Sequence, residues 1–112
     1  MKISTVADDK GLRKKGRFVR LKGRELRALP MELPGWRVVK HHHLAKSFSF
    51  PDFKKALSFV NKIGRISESL EHHPDIFLGY GKVEIKTFDH KTNGLVGLDC
   101  VLANRIDKAF NN

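Results

Sequence analysis

The spacing of apolar residues changes between Asp52 and Phe88, and this change limits the folds open to the chain more than any other feature. From Asp52 to Glu71, Phe53, Ala56, Leu57, Val60, Ile63 and Leu70 recur at helical spacing, and Phe59 and Ile66 widen the stripe. Asp52 is placed to cap such a helix, and Pro74 to close the segment behind it. Then "IFLGYGKVEIKTF" reads as strand, glycine-containing turn and strand. Val83, Ile85 and Thr87 point one way, and Lys82, Glu84 and Lys86 the other. The helical stripe is wide enough to cover a sheet and to meet a second partner.

The flanking segments complete the pattern. "GRELRALPMELPG" predicts a short helix that stops near Leu29, because Pro30 disfavours a helical residue before it. "WRVV" and "LAKSFSF" predict a hairpin with "KHHH" in or near its turn. Asn93-Gly94 marks another turn, and Leu98, Val101, Leu102, Ile106 and Ala109 share one side of a last helix. The order is helix, two strands, long helix, two strands, helix. The expected class is α+β, with a four-stranded antiparallel sheet covered on one face.

Charge divides the chain unevenly. Of the net +10, residues 10–27 hold +8, with nine Lys/Arg and one Glu. The expected organisation is a basic, flexible arm over residues 1–22 and a domain over residues 23–112. The arm reads either as a solvated segment or as a patch for nucleic acid or another polyanion. Phe18 is its only aromatic residue, which is thin support for single-strand binding. The single cysteine, Cys100, excludes an intrachain disulfide and a thiolate zinc cage. No apolar run approaches a membrane span, and "MKISTVADD" has no signal-peptide core, so the expectation is a soluble cytoplasmic protein. A domain this small buries a modest share of its surface, and oligomerisation would help it.

The histidines fall into two groups. His41, His42 and His43 read as an exposed polar turn. His72 and His73 follow the long helix, where Pro74 fixes the exit direction, and His90 comes at the end of a strand. Asp89 and Asp99 are near enough in sequence to orient an imidazole. Neither H-x-x-x-H nor H-E-x-x-H occurs. On spacing alone, general acid/base chemistry, a metal site and a structural role all remain open.

The set Glu68, His72-His73-Pro74, Tyr80, His90 and Asp99 resembles the signature of the pterin-4a-carbinolamine dehydratases. Gly35-Trp36 resembles the start of that family's first strand. "FSFPDFKKALSFVNKI" is similar to its strand-to-helix junction, and Gly94-Leu95 with "LDCVLANRID" to its last helix. The resemblance runs from about Glu25 to Phe110. The chain departs from the pattern at Ile76, Leu78, Gly81, Val96 and Gly97, of which Val96 replaces a usual capping threonine.

The resemblance implies a four-stranded antiparallel sheet with helices on one face. It implies dehydration of 4a-hydroxytetrahydropterin to quinonoid dihydropterin, which recycles the cofactor of aromatic amino-acid hydroxylases, with no metal or organic cofactor. It assigns His72 and His90 as general acids and His73 to substrate contact or the base. Glu68 and Asp99 would orient or polarise these groups, Pro74 would aim the pair, and Trp36 would either line the pocket or sit in the core. It further implies a homotetramer built as a dimer of dimers, with the long helix in one interface and an edge strand in another. Protein partners enter as an alternative role, since members of the family act as a transcriptional coactivator or as assembly factors.

Overall fold

The computed structural model describes residues 18–112. The elements are α1 (Gly23–Glu32), β1 (Arg37–Val39), β2 (His43–Ser49), α2 (Phe53–Leu70), β3 (Asp75–Leu78), β4 (Lys82–Thr87) and α3 (Gly97–Phe110). The strands form one antiparallel sheet in the order β1-β2-β4-β3. The expected class and element order are therefore those observed.

Strand alternation sets the core. Leu44 pairs with Thr87 and Phe48 with Val83 across the two central strands, so their inward side chains share one face. That face, with Ile85, joins Ala56, Phe59 and Ile63 of α2 and Leu98, Val101, Leu102 and Ile106 of α3 in one core. Each fully buried aliphatic side chain contributes about 1.5–3 kcal/mol by leaving water. Trp36 is part of this core. Its indole N–H donates to Asp107 Oδ2 at 3.0 Å, and Lys46 meets Asp107 Oδ1 at 2.8 Å, which ties the first hairpin to α3.

Helix boundaries follow capping chemistry. The Asp52 carboxylate accepts from the Lys55 N–H at 2.8 Å, as its position predicts. Neither α1 nor α3 has a capping hydroxyl. Instead Glu25 accepts from the Lys22 N–H, and Asp99 from the Val96 N–H at 2.9 Å. This is the half of a capping box that the third helical residue supplies, and it needs no serine or threonine at the cap.

One helix boundary is corrected. The first helix does not stop at Leu29; it runs to Glu32 with Pro30 inside. Pro30 removes one donor, yet the Leu33 N–H still reaches the Leu29 carbonyl at 2.7 Å, and both leucines are buried. Packing outweighs the local preference of a residue that precedes proline. The stripe of α2 is also wider than the buried surface. Phe53 and Leu57 are 44% and 41% exposed, so the sheet and α3 cover only part of it. The packed structure also begins before the expected boundary at residue 23. Leu21 is buried, and its N–H donates to the Leu95 carbonyl at 2.8 Å. Residues 1–17, with most of the basic run, lie outside the described residues.

Candidate active site

The corner after α2 is built by backbone geometry. Glu71 is left-handed, with φ 53°. Its N–H bonds the Glu68 carbonyl at 3.2 Å, and the next N–H, of His72, bonds the Ser67 carbonyl at 3.1 Å. This pair of bonds is a Schellman motif, which reverses the chain sharply and satisfies the last helix carbonyls. A glycine usually takes the left-handed place; here a glutamate accepts strain of about 1–2 kcal/mol. Beyond the reversal, Pro74 leads the chain into β3.

His72 is buried, and its Nε2 lies 2.5 Å from Asp99 Oδ1. The same oxygen accepts from the Thr87 hydroxyl at 2.6 Å, and Oδ2 accepts from the Val96 N–H at 2.9 Å. Asp99 is fully buried, with the Thr87 hydroxyl and the Val96 N–H as donors and His72 Nε2 as its third partner. Its place in the first turn of α3 favours negative charge. With Asp99 as a carboxylate, Nε2–H of His72 donates to it, which fixes the tautomer of the ring. Nδ1 is then the nitrogen left for chemistry.

His73 and His90 are more open. His73 Nε2 meets Glu68 Oε2 at 2.5 Å, with both side chains exposed to solvent. His90 does not end a strand as expected. β4 stops at Thr87, and His90 lies in the following turn. That turn is closed by Asp89, whose carboxylate accepts from the Thr92 N–H and whose backbone pairs with Gly94. Asp89 thus shapes the turn, whereas Asp99 holds an imidazole. The His90 ring lies 4.4 Å from Phe88.

His72, His73 and His90 line one cleft of about 540 Å³, with Phe18 and Phe88 among its other walls. That volume suits a small organic ligand. Trp36 and Tyr80 are not among its walls: Trp36 is in the core, and Tyr80 is exposed on the β3–β4 turn. A smaller hollow of about 370 Å³ over the outer face of the sheet holds none of the histidines.

The first histidine group departs from the expected exposed turn. His42 and His43 are half-buried. Because β2 pairs with β4, their turn ends beside residues 88–93. His42 Nε2 lies 2.8 Å from Asn93 Oδ1, its Nδ1 lies 3.1 Å from His43 Nδ1, and its ring sits 4.4 Å from Phe88. Phe88 therefore touches His42 as well as His90. The His43 pKa is lowered by burial first, and then by the positive charge of Lys86, His42, Lys40 and Arg37. A lowered value in the folded state means that the unfolded chain binds the proton more tightly. This contribution to stability is present above the ordinary histidine pKa of about 6.5 and is lost as the pH falls through the lowered value. His43→Gln should therefore flatten the decline in stability below that pH. Urea unfolding at pH 7.5 and 5.5 measures it; an unchanged decline would remove His43 as a cause.

Among the described residues, no group of three or more His, Cys, Asp or Glu is placed to hold a metal ion, and no helix is long and apolar enough to cross a membrane. The Cys100 thiol is buried, and burial beside the Asp99 carboxylate raises its pKa well above the ordinary value, which keeps it unreactive.

Comparison with known proteins identifies the lineage. The family described as pterin 4 alpha carbinolamine dehydratase matches residues 19–109. The chain belongs to the pterin-4a-carbinolamine dehydratase family. A relative from Rubrobacter xylanophilus, provisionally named a pterin-4-alpha-carbinolamine dehydratase, is 45% identical over 106 residues, which are 95% of this chain and 99% of that one. Another from Alkaliphilus metalliredigens, with the same provisional name, is 48% identical over 73 residues, 65% of this chain and 66% of its own. Among solved structures, a transcriptional coactivator/pterin dehydratase from Brucella melitensis aligns with TM-score 0.77 at 30% identity, covering 81% of this chain and 98% of that one. A pterin dehydratase-like RuBisCO assembly factor of the alpha-carboxysome aligns with TM-score 0.57 at 28% identity, covering 67% and 88%.

Within the dehydratase family pattern, sequence reading missed Thr87 as a partner of Asp99. The signal was present. Thr87 follows Val83 and Ile85 on the inward side of β4, and a polar group on a core face requires a buried partner. Phe88 carried no such signal, because its contact with His42 comes from a turn distant in sequence.

Proposed function

We propose that the protein dehydrates 4a-hydroxytetrahydropterin to quinonoid dihydropterin. The observation that carries this reading is the buried Thr87–Asp99–His72 chain opening on the same cleft as His73 and His90. In the reaction the C4a–O bond breaks, and the departing hydroxyl takes a proton and leaves as water. The adjacent ring nitrogen loses its proton, so one proton is given and one is taken. An imidazole suits either task near neutral pH. His72 and His90 are assigned as acids, and His73 as a substrate contact that can also serve as base. With Nε2 held by Asp99, His72 acts through Nδ1, and the carboxylate stabilises the charge when both nitrogens carry protons. Family membership supports the substrate class. Stopped-flow decay of chemically generated 4a-hydroxytetrahydropterin tests the reading. Acceleration by the protein is expected, and decay at the uncatalysed rate would overturn it.

Self-association is proposed with it. Phe53 and Leu57 leave an apolar strip open along α2, on a small domain that gains from burying it. Four copies are expected, as a dimer of dimers. Light scattering at micromolar concentration should give the mass of a tetramer; the mass of one chain would exclude it.

A further inference from the structure

The segment before α1 is fastened across the turn that presents His90. Arg20 forms an antiparallel bridge with Val96, and the Leu21 N–H bonds the Leu95 carbonyl at 2.8 Å. The Arg20 guanidinium donates to the carbonyls of Thr92 at 3.2 Å and Asn93 at 3.4 Å. It packs tightly on Gly94, where a Cβ would lie 3.0 Å from the guanidinium. Two residues ahead of this clamp, Phe18 forms part of the wall of the histidine cleft while its side chain stays 54% exposed. Phe88, the other aromatic wall, is already in contact with His42 and His90. Phe18 is thus a large apolar ring at the mouth of the cleft, set in a stretch otherwise rich in charge.

Resting on the proposed reaction, we infer that Phe18 is a substrate-binding residue. Its ring covers the conjugated, near-planar aminopyrimidinone part of the substrate against the three imidazoles, with the tetrahedral C4a and its hydroxyl left to the histidines. Arg20 is the positioning residue that holds Phe18 at the cleft by bonding the carbonyls just beyond His90. The conjugated part of the substrate offers a π face to an aromatic wall and takes no part in the loss of water, so Phe18 contributes affinity rather than chemistry. The segment expected to be an arm outside the domain then supplies a piece of the site.

The test uses the full chain. Phe18→Ala should raise KM for 4a-hydroxytetrahydropterin about three- to tenfold and leave kcat within about twofold. Phe18→Leu, which keeps apolar bulk without a π face, should weaken binding in the same direction, and Phe18→Tyr should restore it. Arg20→Met should raise KM with kcat retained, and Arg20→Lys should recover part of the loss. Equilibrium titration with 7,8-dihydrobiopterin, which cannot lose water, provides a second readout. Wild-type KM and probe affinity in Phe18→Ala, with turnover intact, would overturn the inference alone. A wild-type protein without turnover that still binds the probe through Phe18 would overturn the reaction and keep the wall. Binding of neither would sink both.

Discussion

Asp99→Asn should lower turnover by about 10²-fold or more, the scale of a lost general acid/base function. The carboxylate accepts three hydrogen bonds, from His72 Nε2, the Thr87 hydroxyl and the Val96 N–H. An asparagine keeps one acceptor oxygen and replaces the other with a donor. If its oxygen stays with Val96, its NH2 faces His72, and the imidazole must move its proton from Nε2 to Nδ1. The nitrogen left for chemistry then carries a fixed proton, and no counter-charge stabilises the imidazolium. If its oxygen stays with His72, the NH2 opposes the Val96 N–H and frees a donor at the start of α3. Either arrangement leaves a buried group mismatched, which costs about 1–3 kcal/mol of stability. Turnover and urea unfolding should both be measured, so that a loss of folded protein is not counted as a loss of chemistry. A folded Asp99→Asn protein within threefold of wild-type turnover would show that the tautomer of His72 does not matter. Thr87→Val should be milder, because it removes one of two donors from Oδ1 and leaves the His72 bond in place.

His72→Ala and His90→Ala should each lower turnover at least about tenfold. The losses can stop short of the full range, because a neighbouring imidazole in the same cleft partly substitutes. The two residues should differ in character. His72 is buried and fixed by Asp99, so its removal leaves that carboxylate one donor short and also reduces stability. His90 is exposed and rests against Phe88, so its removal should cost turnover with little stability. His73→Ala should act mainly on KM, since its ring and Glu68 lie in solvent at the rim. His41 is exposed in the first hairpin turn, and His41→Ala serves as the silent control. Steady-state kinetics on the four variants decide the matter: normal turnover in both His72→Ala and His90→Ala would refute the acid assignment. His42 would not serve as a control, because it touches both Asn93 and the ring that supports His90.

The wall formed by Phe18 changes how the basic N-terminal segment is understood. Its +8 charge invites a polyanion reading over residues 10–27, yet Arg20 within that run spends its guanidinium on two backbone carbonyls of the same chain. A count of charges treats every arginine as available. Hydrogen bonding shows that this one is engaged by the backbone of the turn that follows His90.

Local physics made much of the fold legible in the sequence. Helical and alternating periods arise from side-chain geometry within one element, so they specify α2, β4 and their inward faces without any tertiary information. The Asp52 cap and the Asn93-Gly94 turn are equally local. The spacing of Glu68, His72, His73, His90 and Asp99 carried the family resemblance, but not the distances among those residues. Tertiary structure decided the rest. Whether α1 passes Pro30 depended on packing of Leu29 and Leu33, which outweighs a local backbone preference. Whether Trp36 faced a ligand or the core depended on Asp107, 71 residues away. The pairing of His72 with Asp99 rather than Asp89 needed α3 to lie beside the corner after α2, although Asp89 is nearer in sequence. The same holds for Phe18 and His42, whose places at or beside the cleft come from one strand bridge and one sheet register. A hydrogen bond or ring contact depends on separation in space, and only the folded chain converts sequence distance into that.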